Sequence, residues 1–211
     1  MRWLIWVGVG SMVLLLLLPA LMRSKSTSGG DQTEVASNAR QIGFALFEFK
    51  NDYGEYPNRD TAAEVRRKTG STLSLTDKTS NDLFAQLMAG QFTQTEKIFY
   101  ANAKSSIKPD DNWNSDAKAL AHGECAFAYI MGVDSNGDPE TPIAFGPVIP
   151  GTKTFDRKAN EGKVVVLTIG NTVPSFPINS AGKVIMGRSL DFLDPRQPFW
   201  HGKTPDVKWP K

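Results

Sequence analysis

The sequence predicts an α+β fold: an N-terminal transmembrane helix, then an amphipathic helix packed on an antiparallel sheet. Three observations predict it. Trp3 to Met22 is a stretch of 20 residues without a charged side chain. From Val35 the apolar residues return at Ala39, Ile42, Leu46, Phe49 and Tyr53, steps of three and four that line one face of a helix. After Glu124 the pattern changes to short runs rich in Val, Ile and Phe, bounded by turn residues, as antiparallel strands require. Helical patterns first and strand patterns afterwards make α+β order rather than alternating βαβ units.

At 1.5 Å per residue, 20 helical residues cover about 30 Å, the thickness of a bilayer's hydrocarbon core. Trp3 to Met22 therefore fits one crossing. The alternative is a cleaved secretory signal, whose apolar region is shorter, about 7 to 15 residues, and ends in a small-x-small site. Pro19-Ala20-Leu21-Met22-Arg23 offers no such site. The expected organisation is a transmembrane signal anchor with basic flank over residues 1–25, a flexible tether over 26–33 and a soluble domain over 34–211. Arg2 stands against Arg23 and Lys25, so counting basic residues leaves the orientation open. The short N-terminal tail favours an inner-membrane, single-pass protein with its C-terminal domain periplasmic or extracellular.

The chain has 24 Lys and Arg against 22 Asp and Glu, and Arg2, Arg23 and Lys25 all border the apolar stretch. The rest is almost neutral, which excludes nucleic acid as a partner, because phosphate binding needs a clustered basic excess. With 22% charged and 40% hydrophobic residues, the composition excludes collagen, coiled-coil rods and disordered acidic tails. Cys125 is the lone cysteine, so no intrachain disulfide can form. It alternates with Phe127 and Tyr129, the pattern of a buried strand position.

The tether is expected because Arg23 to Gln32 is polar and holds Gly29-Gly30. The helix that follows can be capped by Asp31 or Thr33, and Gly54 and Pro57 end it. Asp60 or Thr61 can cap a second helix, Ala62 to Lys68, and Ser80 a third, Asp82 to Ala89, stopped by Gly70 and Gly90. Asp116 to His122 reads as a further short helix ending at Gly123. Glu124 to Val133 and Thr141 to Ile149 read as strands joined by a polar hairpin containing Asn136-Gly137. Lys163 to Ile169 turns at Gly170-Asn171 into Thr172 to Ile178, and Lys183 to Met186 follows another turn. Pro174 and Pro177 cannot donate to a ladder, so their strand belongs at an edge.

The first helix ends in Ala45-Leu46-Phe47-Glu48-Phe49-Lys50-Asn51-Asp52-Tyr53-Gly54-Glu55-Tyr56-Pro57. With the apolar N-terminus and the later strands, this resembles the bacterial type IV pilin and type II secretion pseudopilin superfamily. The motif covers about 13 residues; the remainder is similarity of layout. The resemblance implies a pilin-like domain on its own anchor, with the membrane and other pilin-like or secretion-system proteins, or further copies of itself, as partners. Residues 1 to 30 contain no acidic residue, so the glutamate that pilins carry beside their processing site has no counterpart.

Chemistry is sparse. His122 and His201 lie nearly 80 positions apart and no zinc site is readable, and no phosphate loop, dinucleotide fingerprint or nucleophile elbow is present. No catalytic residue, cofactor or metal is assigned. Asp134, Asn136, Asp138 and Glu140 place oxygens at alternate positions, as calcium loops do, but the glycine falls at the fourth place rather than the sixth. A hairpin turn explains them better. The expected function is a non-enzymatic structural component of an envelope secretion or pilus-type assembly. The alternative is a membrane-anchored binding or sensing domain that uses Phe192, Phe199, Trp200 and Trp209 as a recognition surface; an anchored hydrolase ranks third.

At 100° per residue, Phe44 lies about 200° and Phe47 about 140° around the helix from Ile42, so neither shares the apolar stripe. Either a neighbouring segment folds over them, or Arg40, Phe44 and Phe47 form a contact between copies. For the anchor, the expectation is retention in the membrane fraction after alkaline extraction, and activity of an alkaline phosphatase fused after Gly30. A soluble protein or a silent fusion contradicts it.

Overall fold

A computed structural model describes residues 28–211. The expected membrane span, Trp3 to Met22, lies outside them. Helix α1 is Ser28–Tyr53 and takes in Gly29-Gly30, where a tether was expected. Its inner stripe, Val35, Ala39, Ile42, Leu46 and Phe49, is at most 3% exposed. Asn38 on the same side donates to the carbonyls of Lys97 and Tyr100 at 3.2 and 3.0 Å. Gly54, at φ +83°, ends α1 in the left-handed conformation that glycine enters without a Cβ penalty.

Residues 53–57 form a corner between α1 and the sheet. Tyr53 stacks on Phe49 at 4.5 Å, Tyr56 is buried, and the carbonyl of Pro57 accepts from the Tyr129 hydroxyl at 3.0 Å. Helix α2, Arg59–Thr69, begins with a capping box on Asn58; α3, Ser80–Ala89, begins with one on Thr79. Both start slightly before the expected positions. Buried Gln86 joins them: it accepts from the Thr61 hydroxyl and donates to the carbonyl of Asn58, both at 2.8 Å. Asp116 to His122 forms turns rather than a helix.

The main sheet is antiparallel, in the order β4-β3-β2-β1-β7. Its strands are β1 (Ala128–Met131), β2 (Pro142–Gly146), β3 (Lys163–Thr168), β4 (Ser175–Pro177) and β7 (Asp206–Lys208). β5 (Ile185–Met186) and β6 (Leu190–Asp191) pair separately. β4, which ends in Pro177, is an edge strand, where a missing N–H costs no ladder bond.

Both faces of the sheet are buried. Tyr129, Val165 and Leu167 meet α1 and α3; Ala128, Ile130, Phe145, Val164 and Val166 meet the C-terminal segment. That second core centres on Phe145, with Phe192, Phe155 and Trp209 rings 5.2, 5.6 and 5.7 Å away. The Trp200 indole N–H donates to the carbonyl of Phe192 at 2.8 Å. This geometry explains the unbroken Val164-Val165-Val166-Leu167 run: a strand buried on two sides does not alternate with polar residues.

The fold class expected from sequence is therefore corrected. The described residues, which do not include the expected span, form three α-helices, two of them the short ones expected, and an antiparallel sheet that is covered on both faces rather than by one amphipathic helix. No helix among them is long and apolar enough to cross a membrane. α1 has the length but exposes Glu34, Arg40, Glu48 and Asp52.

Gly43 sits where α1 crosses β3. A Cβ there would run into the Asn171 side-chain oxygen and come within 3.0 Å of Leu167 Cδ1. Gly43→Ala is expected to lower stability in urea unfolding, because overpacking costs about 1–3 kcal/mol while helix propensity returns only about 1 kcal/mol. A gain of about 1 kcal/mol, the ordinary result inside a helix, would show that α1 does not lie this close.

Candidate functional site

The outer side of α1 carries the residues singled out by the helical-angle argument. Phe44 is 61% exposed and Phe47 55%, and Arg40, one turn before Phe44, is also exposed. None of the short helices nor the C-terminal segment covers them. Gln41 and Glu48 border the two rings. The face is a small apolar patch with a cation toward its N-terminal end and acidic Glu48 and Asp52 toward its C-terminal end. Exposed rings flanked by a cation and carboxylates offer apolar contact and ion pairing to a partner surface.

Next to this face, Lys50 reaches across to the β1–β2 hairpin. Its ammonium donates to the carbonyl of Ser135 at 2.9 Å and to Asn136 Oδ1 at 3.0 Å. Of the candidate calcium oxygens, Asn136 Oδ1 is thus engaged within the protein. Asp134 accepts from the backbone N–H of Asn136 and Asp138 from that of Glu140, both at 2.9 Å, each closing its own turn. Among the described residues, no group of three or more His, Cys, Asp or Glu is arranged to hold a metal ion.

On its other side the hairpin walls a cleft of about 370 Å³, closed opposite by residues 199–206. Asp134, Asp138, His201 and Lys203 rim it, all exposed, and Ile130 and Trp200 form its buried floor. Asp206 also lines it, paired with Lys208 at 3.1 Å. The aromatic C-terminal patch has a different place from the one expected. Phe192 and Trp200 are core, Phe199 and Trp209 are half-buried against that core, and only the edge of the group reaches the cleft. His122 lies by Gly151 and does not line this cleft.

Two buried acids and the thiol have structural partners. Glu96 is fully buried and accepts from the backbone N–H groups of Leu120 at 2.7 Å and Asn112 at 3.2 Å. Burial pushes its carboxyl above the usual range, against the pull of those two donors. Glu124 accepts from Ala121 N–H at 2.7 Å. Burial pushes the Cys125 thiol up to about 12, and its sulfur contacts the Phe127 carbonyl at 3.3 Å. The thiolate is the reactive form, so Cys125 is a packing residue.

The chain matches no protein family, no curated protein and no solved structure. The site's own geometry therefore carries the functional reading.

Cys125 is expected to resist iodoacetamide at about pH 8, where an ordinary thiol reacts readily, and to react once the protein is unfolded in guanidinium chloride. Stoichiometric labelling of the folded protein would contradict its burial and reopen the hydrolase reading.

Proposed function

We propose that this protein is a non-enzymatic structural component of an envelope secretion or pilus-type assembly, held at the membrane by its uncharged Trp3 to Met22 stretch and joined to its neighbours through the outer face of α1. The observation that carries the reading is the exposure of Phe44 and Phe47 on a helix whose opposite stripe is fully buried. Phe44 and Phe47 stand one turn apart and are among the most exposed large apolar side chains of the described residues, and contiguous exposed apolar patches mark interaction sites. The resemblance of Ala45 to Pro57 to pseudopilins supports the class of assembly. The second reading is an extracytoplasmic binding domain using the C-terminal aromatics; Phe192 and Trp200 are buried, which leaves it Phe199 and Trp209, both half-buried.

The test is Phe44→Ser combined with Phe47→Ser in the full chain. Cross-linking of the protein to itself or to envelope partners should be lost, while the unfolding free energy changes by no more than about 0.5 kcal/mol, the range of ordinary surface substitutions. Cross-linking that survives the double substitution contradicts the reading. A large loss of stability would instead mean that the two rings are interior.

A further inference from the structure

A groove of about 460 Å³ lies where the ends of α2 and α3 meet the segment around Trp113. Small-molecule sites commonly fall between roughly 300 and 1,000 Å³. None of its lining belongs to α1, so what it binds is independent of the assembly reading.

Its chemistry is selective by exclusion. α2 reaches the groove at Thr69 and α3 at Ala89, the last residue of each helix. Each therefore turns its electronegative C-terminal end toward the groove, which disfavours phosphate, sulfate and carboxylate ligands. No side chain lining the groove is ionisable, so a ligand of either charge finds no partner there. A purely apolar ligand fits no better, because it would strip water from amides and leave them unpaired.

The wall offers what a neutral polyol needs. Gln91, Gln94 and Asn114 each carry two amide donors and a carbonyl acceptor, and Thr72 adds a hydroxyl. All four residues are exposed, and none of these side chains hydrogen-bonds to another described residue. Trp113 lines the groove and is half-buried against the main core, which offers an apolar aromatic surface at the groove wall. A pyranose has a C–H face that stacks on such a surface and a rim of hydroxyls that both donate and accept.

We propose that this groove binds a neutral saccharide chain, with one sugar ring stacked on Trp113 and its hydroxyls bonded by Gln91, Gln94 and Asn114. Isothermal titration tests it on the full chain in lauryldimethylamine oxide, a detergent without a sugar headgroup. The probes are cellotetraose, chitotetraose and maltotetraose, with tetragalacturonate as the anionic control. At least one neutral tetrasaccharide should bind and tetragalacturonate should not. Gln94→Ala, on an exposed side chain, should weaken that binding about tenfold, or about 1.4 kcal/mol, with an unchanged melting temperature, and Trp113→Ala should abolish it. Three results overturn the proposal: no binding of any neutral probe, equal binding of the anionic one, or binding that survives Gln94→Ala and Trp113→Ala alike.

Discussion

The close crossing of α1 over β3 at Gly43 is the contact on which the rest of the structure depends. A Cβ at that point would meet the side-chain ends of Asn171 and Leu167, so both must shift before anything larger than hydrogen fits. A helix held this close commits one stripe to the sheet, and Val35, Ala39, Ile42, Leu46 and Phe49 fill it. Residues half a turn away must then face outward, and Phe44 and Phe47 do. The same contact carries a polar cost. Asn171 Oδ1 is buried against Gly43 without a hydrogen bond among the described residues, so the packing gained there offsets an unpaired acceptor. Lys50, one turn beyond Leu46 on the same helix, pins the β1–β2 hairpin and so fixes the cleft wall relative to the outer face.

The second constraint is the covering of the sheet from both sides. Phe145 and Val164 would be solvent-facing in a two-layer fold, yet Phe192, Trp200 and Trp209 close over them. The end of the chain is woven into the helical layer as well. Lys211 N–H donates to Asn81 Oδ1 at 2.9 Å, its carbonyl accepts from Gly123 N–H at 3.0 Å, and Ser80 N–H donates to the Trp209 carbonyl at 3.2 Å. The aromatic tail is thus a structural layer that ties the sheet to α3.

Periodicity made the inner stripe of α1 legible before any coordinates, and rotation by 100° per residue made Phe44 and Phe47 legible as its complement. Edge placement of β4 followed from Pro174 and Pro177, and the β3–β4 reversal from Gly170-Asn171. Other features were hidden for physical reasons. Gly29-Gly30 reads as a break because glycine weakens helices by about 1 kcal/mol each, yet α1 includes both. Phe199, Trp200 and Trp209 look like a surface in sequence because nothing near them shows which strands they cover, although the unbroken Val164 to Leu167 run is the mark of a strand buried on both faces. His122-Gly123 looked like a helix end where the backbone makes only turns. The groove at Trp113 had no sequence signal at all: its amides and hydroxyls are ordinary surface residues, brought together from separate segments by the packing of α2 on α3.

We propose that the inner face of α1 holds the fold while its outer face, exposed in the isolated chain, is covered in an assembly. Maleimide labelling of a Phe44→Cys protein, compared between the purified chain and intact envelopes, tests this most directly, since buried Cys125 stays silent in both. Rapid labelling after purification and strong protection in envelopes is the predicted result. Equal labelling in the two settings would contradict assembly through this face, and equal protection would contradict the placement of the helix itself.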